Sequence, residues 1–528
     1  MTTPIELAVD ADAPGMPLAH YWSKVVGAGR ANEGLRADWQ EQLRAAVAEC
    51  GFEFIRFHGL FHDDMFVYRE VDGEPRFNFQ YLDALFDRLL DIGVRPFIEF
   101  GFSPGVLART TKTAFWWGAN GAPPTNLDKW AALVEHTVRH WIHRYGIDEV
   151  RAWYFEVWNE PNLKPFFEGT RSEYFALYER TVRVVKAIDK NLRVGGPATS
   201  NFVPDTRFDG ETEDLSVHTV AGPDELAALD WKPVWITEFL DFCSANQLPV
   251  DFVSAHPYPT DWALDEHGQG QKLTRDLEAT PKDLRTLAAL VRSSAYPDAE
   301  IHLTEWSSSS SSRDNTHDSV PAATFIVRTL LTAAGLVDSL AYWTFTDVFE
   351  EEGAGDELFH GGFGMVTLPG IVKPAYHAFR FLNALGGELI GQSEGVWATR
   401  DSATGLLTVL AAHYPPEEIR SVPASFGGRD GVDALLRTGT TREFKLTFAG
   451  LRANSTVEVE VLDPSNGSAV DAWQRLGAPA EPTRQELEVV AHGARATSRR
   501  MAAADAHGGA VVEFDLEPWS VVKVRAAS

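Results

Sequence analysis

Eight times between residues 20 and 385, an apolar run of strand length is followed by a helix-length segment with apolar residues at helical spacing. The runs are HYWSKVVG (20–27), FEFIRFHG (52–59), RPFIEFGF (95–102), AWYFEVWN (152–159), LRVGGPA (192–198), DFVSAHPY (251–258), EIHLTEW (300–306) and SLAYWTF (339–345). The helical segments are 36–50, 79–93, 127–145, 172–190, 236–247, 281–294, 319–335 and 374–385. Strands apolar along their whole length suit a parallel sheet covered on both faces. In the second segment Tyr81, Leu82, Leu85, Phe86, Leu89 and Leu90 form one stripe. Asn126 before 127–145 and Thr280-Pro281 at the head of 281–294 are helix-start signals. Eight such units in succession predict a closed (β/α)8 TIM barrel, in the α/β class, over residues 19–386. An open doubly wound sheet is the runner-up, but no glycine-rich dinucleotide fingerprint follows the first run.

The rhythm breaks twice. Residues 203–235 are an acidic insertion carrying Asp205, Asp209, Glu211, Glu213, Asp214, Asp224 and Glu225, expected as a surface excursion. After residue 387, runs such as LTVLAAHY (407–414), STVEVEVL (455–462) and VVEFDL (511–516) alternate with period two. That pattern predicts a C-terminal antiparallel β-sandwich over 387–528, joined by the linker ALGGELIGQ (384–392). Residues 1–18 are irregular and are read as lending a strand to the sandwich.

The formal charge of −28 argues against nucleic acid or an anionic membrane as partner, since both call for basic patches. The N-terminus has no basic and apolar leader pattern and no apolar run reaches about 18 residues, so the chain reads as cytoplasmic. Cys50 and Cys243 are far apart in sequence, with no metal spacing, and no disulfide is expected. A homo-oligomer is left open.

Chemistry gathers where the fourth run stops at Asn159-Glu160-Pro161. In a parallel barrel, catalytic groups sit at the carboxyl ends of strands. Pro161 is expected to push Glu160 toward an extended conformation. The seventh run likewise ends in Glu305. Two carboxylates on one rim meet the requirement for cleaving a glycosidic bond, one protonated to serve the leaving oxygen and one ionised to attack the anomeric carbon. Asn159 is placed to bond a sugar 2-hydroxyl. Thr237-Glu238-Phe239 imitates Thr304-Glu305-Trp306, but its neighbours Ile236, Phe239 and Leu240 recur at helical spacing, so Glu238 is assigned to the outer ring. The six serines 307–312 are read as flexible surface, and Gly361-Gly362-Phe363-Gly364 as a tight backbone turn with no lysine before Lys373. His58 and His62, with Asp63-Asp64, lack the helical setting that would make four-residue spacing a metal site.

EVWNEPNL and HLTEW resemble the acid/base and nucleophile motifs of glycoside hydrolase family 39, and are most similar to those of its bacterial β-xylosidases. RFHGLFHDDM, RPFIEFGFSP, RYGIDEV, RVGGPA, PVDFVSAH, AYWTFTDVFEE and FHGGFGM extend the resemblance over most of 20–385. It implies retention of anomeric configuration, Glu160 as acid/base, Glu305 as nucleophile, and neither metal nor cofactor. With it, the strand-end imidazoles of His58 and His256 become candidates for sugar hydroxyls, and Phe115 and Trp343 for stacking. The loop from His256 through Tyr258 to Asp261 supplies no cation for a uronic acid, and the acidic Glu350 and Glu351 suit neutral hydroxyls. The expectation is an exo-acting retaining β-xylosidase taking small neutral xylo-oligosaccharides. Rivals are β-glucosidase, β-galactosidase or arabinosidase activity on the same scaffold, and a sugar-binding barrel without turnover.

Overall fold

A computed structural model describes residues 3–217, 225, 228–264, 270–348, 351–418, 420 and 427–528, with backbone alone at 261–264 and 270–273. Eight parallel strands close a barrel: β1 (Val25–Arg30), β2 (Phe54–His58), β3 (Arg95–Phe100), β4 (Tyr154–Val157), β5 (Arg193–Ser200), β6 (Phe252–His256), β7 (Glu300–Trp306) and β8 (Ser339–Tyr342). Each strand pairs with its successor, and β8 returns to β1. The outer helices are α1 (Ala37–Cys50), α2 (Gln80–Ile92), α3 (Leu127–Tyr145), α4 (Arg171–Ile188), α5 (Ile236–Ala245), α6 (Ala279–Ser293), α7 (Val320–Thr332) and α8 (Pro374–Leu382). Their ends follow local chemistry. The Asn126 side chain accepts from the amides of Asp128 and Lys129 to start α3. Thr170 and Glu173 form a capping box on α4.

Within each barrel strand, alternate residues point to opposite faces. Ile55, Phe57, Ile98, Phe100, Phe155 and Val157 face the helices and join the main core. The other face fills the barrel in layers. At the amino-terminal end Val25, Phe54, Phe97, Tyr154, Phe252 and Ala341 form an apolar plug. Phe97 stacks on Tyr154 with centroids 4.9 Å apart, and each such ring contributes about 1.5–3 kcal/mol by leaving water. One layer higher the residue type changes to Arg56, Glu99, Glu156 and Thr304, all buried. Glu99 and Glu156 are register partners across β3 and β4, so the polar layer sits directly on the plug.

The second unit packs a seven-stranded sheet against a three-stranded one around its own apolar core. The central strand of the smaller sheet is Arg442–Ala449, flanked by Ala510–Leu516 and by the N-terminal strand Ile5–Asp10. The N-terminal strand runs parallel to its neighbour, Ile5 opposite Phe444, in an otherwise antiparallel unit. Glu388–Ser393 is already a strand, so the connection from the barrel is shorter than the paired glycines suggest. Arg380 of α8 ion-pairs with Glu460 at 2.6 Å, and His377 Nε2 bonds the Ala494 carbonyl at 2.7 Å, fastening barrel to sandwich.

Between β5 and α5 the insertion forms a short ribbon, Phe202–Val203 with Lys232–Pro233, and packs on the start of α4, where Ser172 donates to Glu211. Its Asp224 lies outside the described residues. Cys50 and Cys243 are both free and buried. Among the described residues, no helix is long and apolar enough to cross a membrane.

Candidate active site

β4 ends at Val157, and the chain turns through two residues with positive φ, Trp158 (74°) and Glu160 (44°). The extended conformation expected of Glu160 from Pro161 is therefore wrong. Tertiary bonds overrule the local preference: the Glu160 amide donates to the Ala198 carbonyl of β5 at 2.9 Å, and Leu163 N–H returns to the Glu160 carbonyl at 3.0 Å. Asn162 and Ser200 bond each other reciprocally, Nδ2 to carbonyl at 3.1 Å and amide to Oδ1 at 2.9 Å, locking the rim between β4 and β5. A left-handed non-glycine residue costs on the order of 1–3 kcal/mol, a strain that surrounding structure sustains at functional sites.

Glu305 arrives from the end of β7. One donor atom each from Glu160, His256 and Glu305 lies within 4.8 Å of the others. Such a trio can hold a metal, but its atoms are already engaged: both nitrogens of His256 bond protein groups, and a guanidinium occupies the side of Glu305. His62 instead pairs with Asp64, and Asp63 accepts from the Gly105 amide.

The organising cation is Arg56, inside the apolar run of β2. Its Nε donates to Glu156 at 2.6 Å, Nη1 to Glu305 at 2.7 Å, and Nη2 to Asn159 Oδ1 at 2.8 Å, with Glu99 3.1 Å away. Burial alone opposes its charge, but the three carboxylates outweigh it and raise its pKa. His58 bonds Glu99 through Nδ1 at 2.6 Å, with Nε2 3.6 Å from Glu305. Here too burial works against the cation, and Glu99 and Glu305 overcome it, so the His58 pKa lies above its ordinary value. Glu99 is the mirror case, held below the usual carboxylate range by His58 and Arg56 despite burial.

Glu160 lies on the other side of this balance. Burial pushes it up to about 7, and bonding to Ser200 and the more distant charges of His58 and Arg56 only partly oppose that. His256 Nδ1 is 2.9 Å from Glu160 Oε1, and burial lowers this imidazole to about 4, leaving it neutral. Two carboxyls on one rim thus have opposite surroundings, Glu305 beside cations and Glu160 beside a neutral ring.

The cavity over them measures about 260 Å³, and Glu160, Phe166, Ser200, Tyr258, Glu305 and Phe363 are among its walls. Of the other residues the sequence singled out, Tyr258 donates to Glu305 Oε2 at 3.3 Å, and Glu351 lines the cavity. Trp343 is buried beneath Phe363, 4.8 Å centroid to centroid from His58. Phe115 is half-buried and stacks on His58 at 5.8 Å. Glu350 lies outside the described residues. His256, expected to meet sugar hydroxyls, has both ring nitrogens bonded within the protein.

The serine run is not flexible surface: Ser307, Ser308, Ser309, Ser311 and Ser312 are buried, and 310–312 form one wall of the cavity. Lys373 does reach the glycine turn, donating to the Gly362 carbonyl at 2.9 Å, but Asp318 and Asp347 neutralise it at 2.8 and 2.7 Å. The turn needs its glycines, since a Cβ on Gly364 would meet the Asp347 amide at 2.2 Å. Glu238 is exposed on α5, away from the cavity. Arg56, Glu99, Glu156, Thr304, Ser200, Glu352 and Phe363 were not among the sequence candidates. The first three carried a signal, charged residues at inward positions of apolar strands.

A family model for glycosyl hydrolases family 39 matches residues 5–509. A β-xylosidase of Caldicellulosiruptor saccharolyticus is 37% identical over 515 residues, 96% of this chain and 94% of that protein. A β-xylosidase of Geobacillus stearothermophilus is also 37% identical, over 89% of this chain and 85% of its own length. The crystal structure of a monomeric β-xylosidase from Caulobacter crescentus superposes with a TM-score of 0.83 at 31% identity, covering 99% of each chain. A closed eight-stranded barrel with a carboxyl pair at its rim and a match along nearly all of the sequence leave one conclusion: the chain belongs to glycosyl hydrolases family 39, and it is a glycosidase.

Proposed function

We propose that the chain is an exo-acting, retaining β-xylosidase in which Glu305 is the nucleophile and Glu160 the acid/base. The observation that carries this is the closeness of the two carboxyls, atoms of each within 4.8 Å, in opposite electrostatic settings. Retaining glycosidases hold their carboxyls about 5–5.5 Å apart, whereas inverting ones need about 6.5–9.5 Å to admit a water between. Glu160, held protonated near neutral pH by burial, gives its proton to the leaving oxygen while Glu305 bonds to the anomeric carbon. Glu160, now a carboxylate, takes a proton from the water that displaces Glu305 and releases the sugar. Arg56 and Tyr258 hold Glu305 in place, and with Asn159 Oδ1 bound to Arg56, its Nδ2 is the group left for a substrate hydroxyl.

A neutral sugar is supported by the cavity walls, which among the described residues include Glu351 and Glu352 and no Lys or Arg. Xylose is supported by the two β-xylosidase relatives that span nearly the whole chain. The test is a panel of nitrophenyl glycosides with wild type and Glu305→Gly, adding azide to the variant. Cleavage of the β-xyloside, and an α-xylosyl azide from the variant, support the full reading. A different preferred glycoside keeps the machinery and changes the sugar. A β-configured azide would mean that another carboxylate still forms the glycosyl-enzyme and that Glu305 is the acid/base, overturning the role assignment. Binding of sugars without cleavage of any glycoside overturns the reading altogether.

A further inference from the structure

Behind Glu160 runs a chain of hydrogen bonds whose direction is set at its far end. Glu156 accepts from Arg56 on Oε2 at 2.6 Å and from the Thr304 hydroxyl on Oε1 at 2.8 Å. A threonine hydroxyl has one proton to give. With that proton committed to Glu156, Thr304 Oγ1 can meet His256 Nε2, 3.0 Å away, only as an acceptor. Nε2 therefore carries the hydrogen. A neutral imidazole has one N–H, so Nδ1 presents a lone pair toward Glu160 Oε1 at 2.9 Å. A carboxylate and a lone pair repel at that distance, whereas a carboxylic acid donates into the contact. All four side chains are buried.

We propose that Thr304 and Glu156 are positioning residues that fix the tautomer of His256 and, through it, keep a proton on Glu160. The inference rests on the reading of Glu160 as acid/base and adds the device that sets its charge state. The same device serves both halves of the reaction. Once Glu160 has given its proton away, its carboxylate faces the Nδ1 lone pair, which favours taking a proton back from water. Other groups near Glu160 act on its charge as well: His58 and Arg56 of β2 and the Ser200 hydroxyl of β5 favour the carboxylate, while Glu99 of β3 opposes it. Tyr258 and Glu305 complete the surroundings. None of these contacts His256 Nε2, so a change at Thr304 isolates the tautomer.

The experiment follows kcat/KM against pH for phenyl and dinitrophenyl β-xylosides, whose leaving groups need a proton strongly and hardly at all. Thr304→Val removes the acceptor for Nε2–H and lets His256 turn its hydrogen toward Glu160, stabilising the carboxylate. The basic limb should move down by about one pH unit, since a hydrogen bond to the charged form favours it. Above that limb the loss should be at least about tenfold larger for the phenyl than for the dinitrophenyl substrate, because only the former draws on the roughly 10²–10⁴-fold contribution of a general acid. Thr304→Ser should restore the wild-type limb. In Glu156→Gln the amide nitrogen facing Thr304 donates to it, the hydroxyl turns to His256, and the limb should move the same way.

On the wild type, imidazole nitrogen NMR, with the His256 signal assigned by its loss in His256→Asn, should place the hydrogen on Nε2. A hydrogen on Nδ1, or an unmoved basic limb in Thr304→Val and Glu156→Gln, overturns the relay. Glu160→Ala separates this from failure of the underlying reading. If that variant loses both substrates equally, Glu160 is not the acid; if it spares the dinitrophenyl substrate while the Thr304 variant is unchanged, only the relay fails.

Discussion

Arg56 holds Glu305 at 2.7 Å, the guanidinium fully buried and the carboxylate open only to the cavity. The same guanidinium serves Glu156 and Glu99, so its removal strands three buried carboxylates at once. Breaking a buried ion pair by deleting one partner costs about 3–5 kcal/mol. Arg56→Met should lose at least that much in denaturant unfolding, along with nearly all turnover. Adding Glu156→Gln should recover part of the stability, because one stranded charge is then gone.

Glu160 makes stability depend on pH in a direction opposite to most carboxylates. Its pKa rises from 4.5 to about 7 on folding, so across that interval the folded chain keeps a proton that the unfolded chain has released. Stability is full below pH 4.5 and falls as pH rises toward 7, by about 3 kcal/mol for this group. Buried Glu33, also raised to about 7, adds a slope of the same sign, so the informative quantity is a difference. Glu160→Gln should gain about 3 kcal/mol over wild type between pH 4.5 and 8. Equal pH slopes for the two proteins would show that Glu160 is charged in the fold.

The look-alike glutamate offers a control on strand assignment. Glu305→Ala should lower turnover about a thousandfold or more, the scale seen when a nucleophile is deleted. Glu238 is exposed, with its nearest cation, Arg171, 3.9 Å away, and Glu238→Ala should leave rate and melting temperature nearly unchanged.

Lys373 sits between Asp318 and Asp347, whose other oxygens take the amides of Gly361 and Gly364. The lysine thereby braces the turn that presents Phe363 to the cavity. Lys373→Met should cost about 3–5 kcal/mol, as for any broken buried pair. It should also raise KM more than it lowers kcat, since a loosened wall affects binding first. A stability loss with KM unchanged would show that the turn holds its shape without the lysine.

The barrel was legible because its period is repeated eight times, and a repeated error in phase would have been needed to hide it. The start of the helix 127–145 was legible because Asn126 caps it by side chain. The rim was less legible. At Glu160 a local rule about residues before proline met bonds from Ala198 and Leu163, distant or out of step in sequence, and lost. The serine run looked mobile because composition says nothing of what folds over it. Arg56, Glu99 and Glu156 were visible as charges in apolar strands, but their meeting depends on register between strands, which no single run encodes.

The strand Ile5–Asp10 leaves the ribosome ahead of the barrel and pairs with Arg442–Ala449, made more than four hundred residues later. During synthesis it has no partner while the entire barrel emerges and folds. The smaller sheet of the sandwich therefore cannot close until the barrel has been made, and it ties a strand ahead of the barrel to strands behind it. A version started just beyond Asp10 would carry all the chemistry described above on a scaffold whose second unit has lost an edge strand of its smaller sheet.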